Sequence, residues 1–361
     1  MIAATLAVAS VLLWVLAPPP QHVPTPAAVP RGRRESTGPL EMAHLVEQLA
    51  TVISSGAGLR QAWAALGRSL PDGELRDLAR AAASGADPRR AASARLRRTE
   101  MIASLSTALA VCERTGAPTA GMLQHLADAL RDLHDAAQAR RTAFAGPRST
   151  ARILLILPLA GLGLGMLLGG DPLRLLLTSG AGNLLALTGL ALTALGWWWM
   201  RRLVHRADPP RSHQVDPSVQ LELIAGALDS GLPLARAVAA VGAALPPGDE
   251  ATALQRSASA LEAGVPAALA GRALPAELSA LARSAVLAEG TGADLARVLR
   301  SAARDLRRGR ARDVEVLAAQ LAVRLVLPTG LALLPAFVAL GIIPTVMSLL
   351  GGTVTFSPGS G

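Results

Sequence analysis

Cys112-Glu113-Arg114-Thr115-Gly116 in the first half of the chain and Ala288-Glu289-Gly290-Thr291-Gly292 in the second decide how the rest is read. Each stretch follows an apolar-periodic run (Leu105, Leu109, Val111; Leu281, Ala285, Val286, Leu287) and precedes another (Met122, Leu123, Leu126, Leu130; Leu295, Val298, Leu299, Leu306). This pattern predicts a tight turn between two helices, with Gly116 and Gly292 taking the left-handed conformation that ends a helix. The two turns lie about 176 residues apart, and a second pair of landmarks keeps nearly the same offset. Ser55-Gly56-Ala57-Gly58-Leu59 answers Ser230-Gly231-Leu232-Pro233-Leu234. Two landmarks in one order at one spacing point to an internal duplication.

Composition directs attention to a membrane. Of the 361 residues 51% are hydrophobic and only 2% aromatic, and the mean hydropathy is +0.39. A single cysteine, Cys112, forms no intramolecular disulfide and no cysteine cluster, so an oxidising compartment is not required. The net charge of +9 rests on arginine, because the sequence contains no lysine. Without lysine there is neither a phosphate-loop lysine nor a Schiff-base lysine, and energy from nucleotide hydrolysis has to come from a partner.

Taken in order, residues 1–17 read as a short N-terminal membrane anchor, with Arg31, Arg33 and Arg34 after the apolar run and no positive charge before it. Residues 18–40 are a Pro-rich, then charged, linker. Residues 41–152 are patterned as a bundle of about six helices: Met42, Leu45, Val46, Leu49, Val52 and Ile53 form one apolar stripe, and Leu59, Ala62, Trp63 and Leu66 another. Residues 153–200 read as a transmembrane hairpin, because arginines collect on both outer flanks and Trp197–Trp199 suit an interfacial belt. After a linker at 201–216 the helical pattern begins again over 217–320, and 321–350 form a last membrane segment before a short tail at 351–361. Pro158, Pro328 and Pro335 fall within the spans, where they could act as hinges or as static kinks. The expected class is all-α: an integral membrane protein with two repeated cytoplasmic helical bundles, about four spans and both termini outside.

No constellation supports catalysis. His22, His44, His125, His134, His205 and His213 show no metal-ligand spacing, so neither a metal nor another cofactor is expected. Gly169-Gly170-Asp171 lacks the leading glycine of an intramembrane aspartyl peptidase motif, Leu168 standing in its place. The arginine clusters flank apolar spans without interleaved aromatics, which favours anionic lipid over nucleic acid. A duplicated solute permease would place ionisable groups within its spans, yet Asn183 is the notable polar residue there. Glu113 and Glu289 remain, read either as residues that bracket a turn or as an exposed docking feature.

These turns resemble those of the type II secretion system F domain family, the inner-membrane platform proteins of type IV pilus-like machines. The family motif is Gly-Glu-x-Ser/Thr-Gly. Glu113, Thr115 and Gly116 match it, as do Glu289, Thr291 and Gly292, while Cys112 and Ala288 replace the leading glycine. Ser55, Gly56 and Leu59, with Ser230, Gly231 and Leu234, resemble an upstream family pattern. The first copy looks like the TadB-type component of tight-adherence pili. The second, with Leu327-Pro328 and Leu334-Pro335-Ala336-Phe337, is similar to the TadC-type component. The resemblance implies a non-enzymatic platform, oligomeric in the inner membrane, that couples a cytoplasmic ATPase to extraction of a pilin or pseudopilin from the bilayer. A membrane scaffold serving another secretion process is the alternative.

Overall fold

The computed structural model describes residues 38–167, 172–178, 180–207 and 215–347. The expected N-terminal anchor, most of the first linker and the tail lie outside them. Every regular element among the described residues is helical. The first copy supplies α1 (Pro39–Ser54), α2 (Leu59–Ser69), α3 (Glu74–Ala83), the single turn α4 (Pro88–Ala91), α5 (Glu100–Thr115) and α6 (Thr119–Leu167). After α7 (Pro172–Thr178) and α8 (Gly180–Ala207), the second copy repeats the order as α9 (Pro217–Asp229), α10 (Leu234–Ala244), α11 (Asp249–Glu262), α12 (Ala267–Ala270), α13 (Ser279–Thr291) and α14 (Leu295–Arg324).

Local chemistry sets the ends of these helices. Pro39 and Pro217 occupy first-turn positions, where a missing N–H costs nothing. The Glu41 carboxylate accepts from the Gly38 N–H at 3.2 Å, and Asp216 accepts from the Ser218 N–H at 2.8 Å. Gly56 (φ 97°) and Gly231 (φ 85°) close α1 and α9 in a backbone region open to few other residues. Inward residues then pack by period: Met42, Leu45, Val46 and Leu49 on α1 are buried, as are Leu221 and Ile224 on α9. Within each copy the first helix packs on the last, α1 on α6 and α9 on α14.

The two bundles are not independent: their buried residues form one continuous core. Helices α5 and α6 of the first copy pack against α9 and α10 of the second, and α6 also packs on α14. Apart from α6 on α14, which are equivalent helices, the join sets the fifth and sixth helices of one copy against the first and second of the other, so it is head-to-tail rather than two-fold. Helix α9 shows the consequence in its sequence. Val219, Leu223 and Gly226 are buried, whereas the α1 residues at the equivalent positions, His44, Gln48 and Thr51, are polar and exposed. Burying Val219 and Leu223 contributes roughly 1.5–3 kcal/mol apiece. Gly226 lets this seam close tightly: a Cβ there would lie 2.5 Å from Met122 Cε, and the flexible tip of Met122 would have to move aside.

Two described stretches are long and apolar enough to cross a membrane, Gly180–Arg206 and Leu295–Met347. The C-terminal helix packs against both α6 and α8, and small residues make room for it. A Cβ on Gly161 of α6 would meet Phe337 Cε2 at 2.6 Å and Gly341 Cα at 3.1 Å, and one on Gly189 of α8 would meet Leu340 Cγ at 2.3 Å. Leu184, Leu187 and Leu190 of α8 face outward. Arg201 and Arg202 lie over the rings of Trp197 and Trp198, each at 5.2 Å, as an interfacial arginine–tryptophan girdle would. π-helical turns occur at Thr329–Leu333 after Pro328 and at Val338–Ile342 after Pro335, while α6 continues through Pro158 as one helix.

Candidate functional site

The repeated turns are superimposable in their chemistry. At the end of α5 the Thr115 hydroxyl donates to the Val111 carbonyl at 2.7 Å and accepts from the Ala117 N–H at 3.2 Å. Gly116 is left-handed at φ 68°, its N–H donating to the Cys112 carbonyl at 2.9 Å. At the end of α13 the Thr291 hydroxyl donates to the Leu287 carbonyl at 2.7 Å and accepts from the Ala293 N–H at 3.3 Å. Gly292 has φ 68°, with its N–H 2.8 Å from the Ala288 carbonyl. Threonine and glycine thus close the turn between them. Glu113 and Glu289 are exposed, and among the described residues neither carboxylate has a hydrogen bond or ion pair.

Each turn opens directly into the long helix of its copy, α6 with 49 residues and α14 with 30. Helix α6 spans ~74 Å at 1.5 Å per residue. It begins beside Glu113 and ends in the apolar residues 153–167, and α14 begins beside Glu289 and runs on as helix to Met347. The turns therefore sit at the distal ends of the two helices that connect the core to the apolar layer.

In the first copy the structure brings both sequence landmarks to one cleft of about 530 Å³, lined by Leu59, Arg60, Trp63, Leu109, Cys112 and Glu113 among others. Leu59 is 39% exposed although apolar, while its counterpart Leu234 is half-buried in the core. Cys112 lies at the floor. Burial pushes its thiol up to about 11, against which a hydrogen bond with the Thr119 side chain acts only in part. It is a packing residue and not a nucleophile. The cleft offers an apolar floor with a charged rim, Arg60 facing the carboxylates Asp87 and Glu113, which suits a protein segment better than a reaction.

A second constellation escaped the sequence reading. Arg307 on α14 is 6% exposed and donates to Glu222 on α9 at 3.2 Å and to Asp132 on α6 of the first copy at 3.0 Å. Beside it Arg310 donates to Asp216 at 2.7 Å, and Arg300 pairs with Asp229. Burial raises the Glu222 carboxyl above the ordinary range, with the charge and hydrogen bond of Arg307 opposing. The first copy holds the equivalent pair, Arg131 with Glu47, in a half-exposed setting. The signal was present in the repeat itself: Glu47 and Glu222, and Arg131 and Arg307, stand at the offsets of the landmarks.

Comparison with known families gives one result. The family model for type II secretion system (T2SS), protein F, matches twice, over residues 45–167 and 221–343, more than half of the chain. Among curated proteins none matches.

Proposed function

Since the chain belongs to the type II secretion system protein F family, whose members are inner-membrane platforms of secretion and pilus machines, we propose that it is the non-enzymatic platform of a tight-adherence type pilus. In this reading one chain carries the TadB-type and TadC-type units, and couples a cytoplasmic ATPase to the extraction of a pilin or pseudopilin. Both bundles face the cytoplasm, and α6, α7–α8 and the C-terminal helix cross the bilayer together with the N-terminal apolar run.

One observation carries the reading: each Thr-Gly turn with its unpaired glutamate stands at the far end of a helix continuous with an apolar segment. A force applied at the turn that holds Glu113 or Glu289 is carried along α6 or α14, each a continuous helix, although Pro147 and Pro158 each remove one backbone hydrogen bond from α6. The π turns after Pro328 and Pro335 are the places where the C-terminal helix can yield. The glutamates serve as acceptors for the ATPase, with Leu59 and the cleft beside it as the apolar part of that contact.

The test is purification of the tagged protein from its native membrane in mild detergent, for the natural chain and for Glu113→Ala/Glu289→Ala. The natural chain should bring with it a secretion ATPase and a small pilin. The double variant should insert normally, lose the ATPase and leave cells without pili. Absence of ATPase and pilin from intact natural protein would point to a scaffold of another secretion process, and normal piliation in the double variant would sink the docking role of the glutamates.

A further inference from the structure

We propose that the second copy presents a docking face for an acidic amphipathic helix of a partner protein, centred on Arg283 and Leu287 of α13 and Arg308 of α14. The inference stands on the packing of the repeats and does not depend on which machine the chain serves.

The repeat itself shows that this part of the unit is a binding face. In the first copy it holds α9 and α10: the Thr107 hydroxyl of α5 reaches the Ala244 carbonyl at 3.4 Å, Met122 of α6 meets Gly226, and Asp132 of α6 accepts from Arg307. Thr107 and Val111 are wholly buried there. Carried over by the offset of the turns, these positions become Arg283, Leu287, Val298 and Arg308 in the second copy. Among the described residues Arg283, Leu287 and Arg308 are exposed and Val298 is half-buried. Leu287 is 54% exposed where Val111 is 0%, and it is the larger side chain. Val286 beside it is 46% exposed as well, and adjoining exposed apolar residues are the kind of patch on which another protein packs.

Charge selects the occupant. Thr107 gives way to Arg283 and Asp132 to Arg308, both exposed. Even with Asp305 in place of Ala129 the face has gained positive charge relative to its homologue. Where the first copy offers a carboxylate to Arg307, the second offers a guanidinium, so the partner supplies the carboxylate. The shape that fits is a helix, since a helix fills the homologous site. A second molecule of this chain is a poor occupant: its α9 is buried, and the equivalent surface of its α1 displays His44, Gln48 and Thr51.

The test places the photo-reactive amino acid benzoylphenylalanine at Leu287 in the full-length protein, irradiates native membranes and sequences the linked peptide. The expected adduct is with a different protein, through a segment of net negative charge that is helical in pattern. Arg283→Glu/Arg308→Glu should cut its yield at least tenfold, and the same probe at Gln48 should give none. Arg283→Gln/Arg308→Gln, which keeps the bulk and removes the charge, should give an intermediate loss and serves if the reversal variant does not elute as a monodisperse species. A self-adduct, an adduct to lipid alone, no adduct, or a yield indifferent to both charge variants overturns the proposal.

Discussion

Replacing Arg307 by methionine tests whether the two copies are locked together by a buried charge network. The substitution keeps much of the volume and removes the guanidinium that bridges Glu222 of its own copy and Asp132 of the other. The Glu222 side chain is 8% exposed, so it is left as a buried carboxylate that has lost its hydrogen-bonded partner and keeps only Arg300, 3.9 Å away. Removing one member of a buried pair costs about 3–5 kcal/mol. Asp132, half in water, contributes little to that loss. For a folded unit of this size each kcal/mol lowers the unfolding midpoint by about 2–4 °C, which gives a fall of roughly 6–20 °C. The measurement is tryptophan-monitored thermal unfolding in detergent at pH 8, where escape by protonation of Glu222 is least favourable. The first copy supplies an internal control. Arg131 and Glu47 occupy the same places, but at 32% and 35% exposure their pairing is worth about 0.2–1 kcal/mol, so Arg131→Met should move the midpoint by a few degrees at most. Combining Arg307→Met with Glu222→Gln should recover most of the loss, because no uncompensated charge remains. Equal midpoint shifts for Arg307→Met and Arg131→Met would refute the reasoning, since burial is the difference it rests on.

The raised carboxyl of Glu222 also fixes the sign of a pH effect. Its folded-state value lies above its unfolded one, so its contribution to stability is full below the ordinary carboxylate range and is lost as pH rises through the raised value. Glu222→Gln should flatten the midpoint-versus-pH curve in that window, and curves that stay parallel would remove Glu222 as its source. In the apolar layer, Gly189→Leu forces side-chain atoms into Leu340, itself 5% exposed, and overpacking of this kind costs about 1–3 kcal/mol. The control is Gly163→Leu, where no atom lies within 4 Å of an added Cβ; equal midpoints for the two variants would show that the C-terminal helix does not pack on α8 as described.

What the sequence disclosed and what it concealed divide by the range of the interaction. The Thr-Gly turns were legible because their chemistry is local: a threonine bonding four residues back and a glycine at φ 68° need no distant partner. The renewal of the helical pattern after the linker at 201–216 was legible too, and α9 begins at Pro217. Helix α6 was harder. Gly146 and Pro147 ordinarily end a helix, and the pattern read as a bundle over 41–152 with a separate span from residue 153. The backbone instead continues unbroken from Thr119 to Leu167. The second apolar run likewise begins in the short helix Pro172–Thr178 and resumes at Gly180. The merging of the bundles into one core was hidden, since it depends on pairs such as Thr107 with Ala244 and Asp132 with Arg307, distant in the chain.

The difference between α1 and α9 explains why two such units work within one chain. A head-to-tail pair of identical units would carry the same apolar surface on both first helices, and the outer one would invite a third unit, then a fourth, into an open array. Here the outer helix shows His44, Gln48 and Thr51 and the inner one Val219, Leu223 and Gly226, so the array stops at two on that side. The inner helix could not take this sequence in an isolated second unit without exposing its apolar stripe to water. Joining the copies in one polypeptide removes the translational and rotational cost of bringing them together. It also commits α9 to the seam, fixing the two long helices beside one another as they enter the apolar layer. Arg307 ties α6, α9 and α14 together at a single point of that seam.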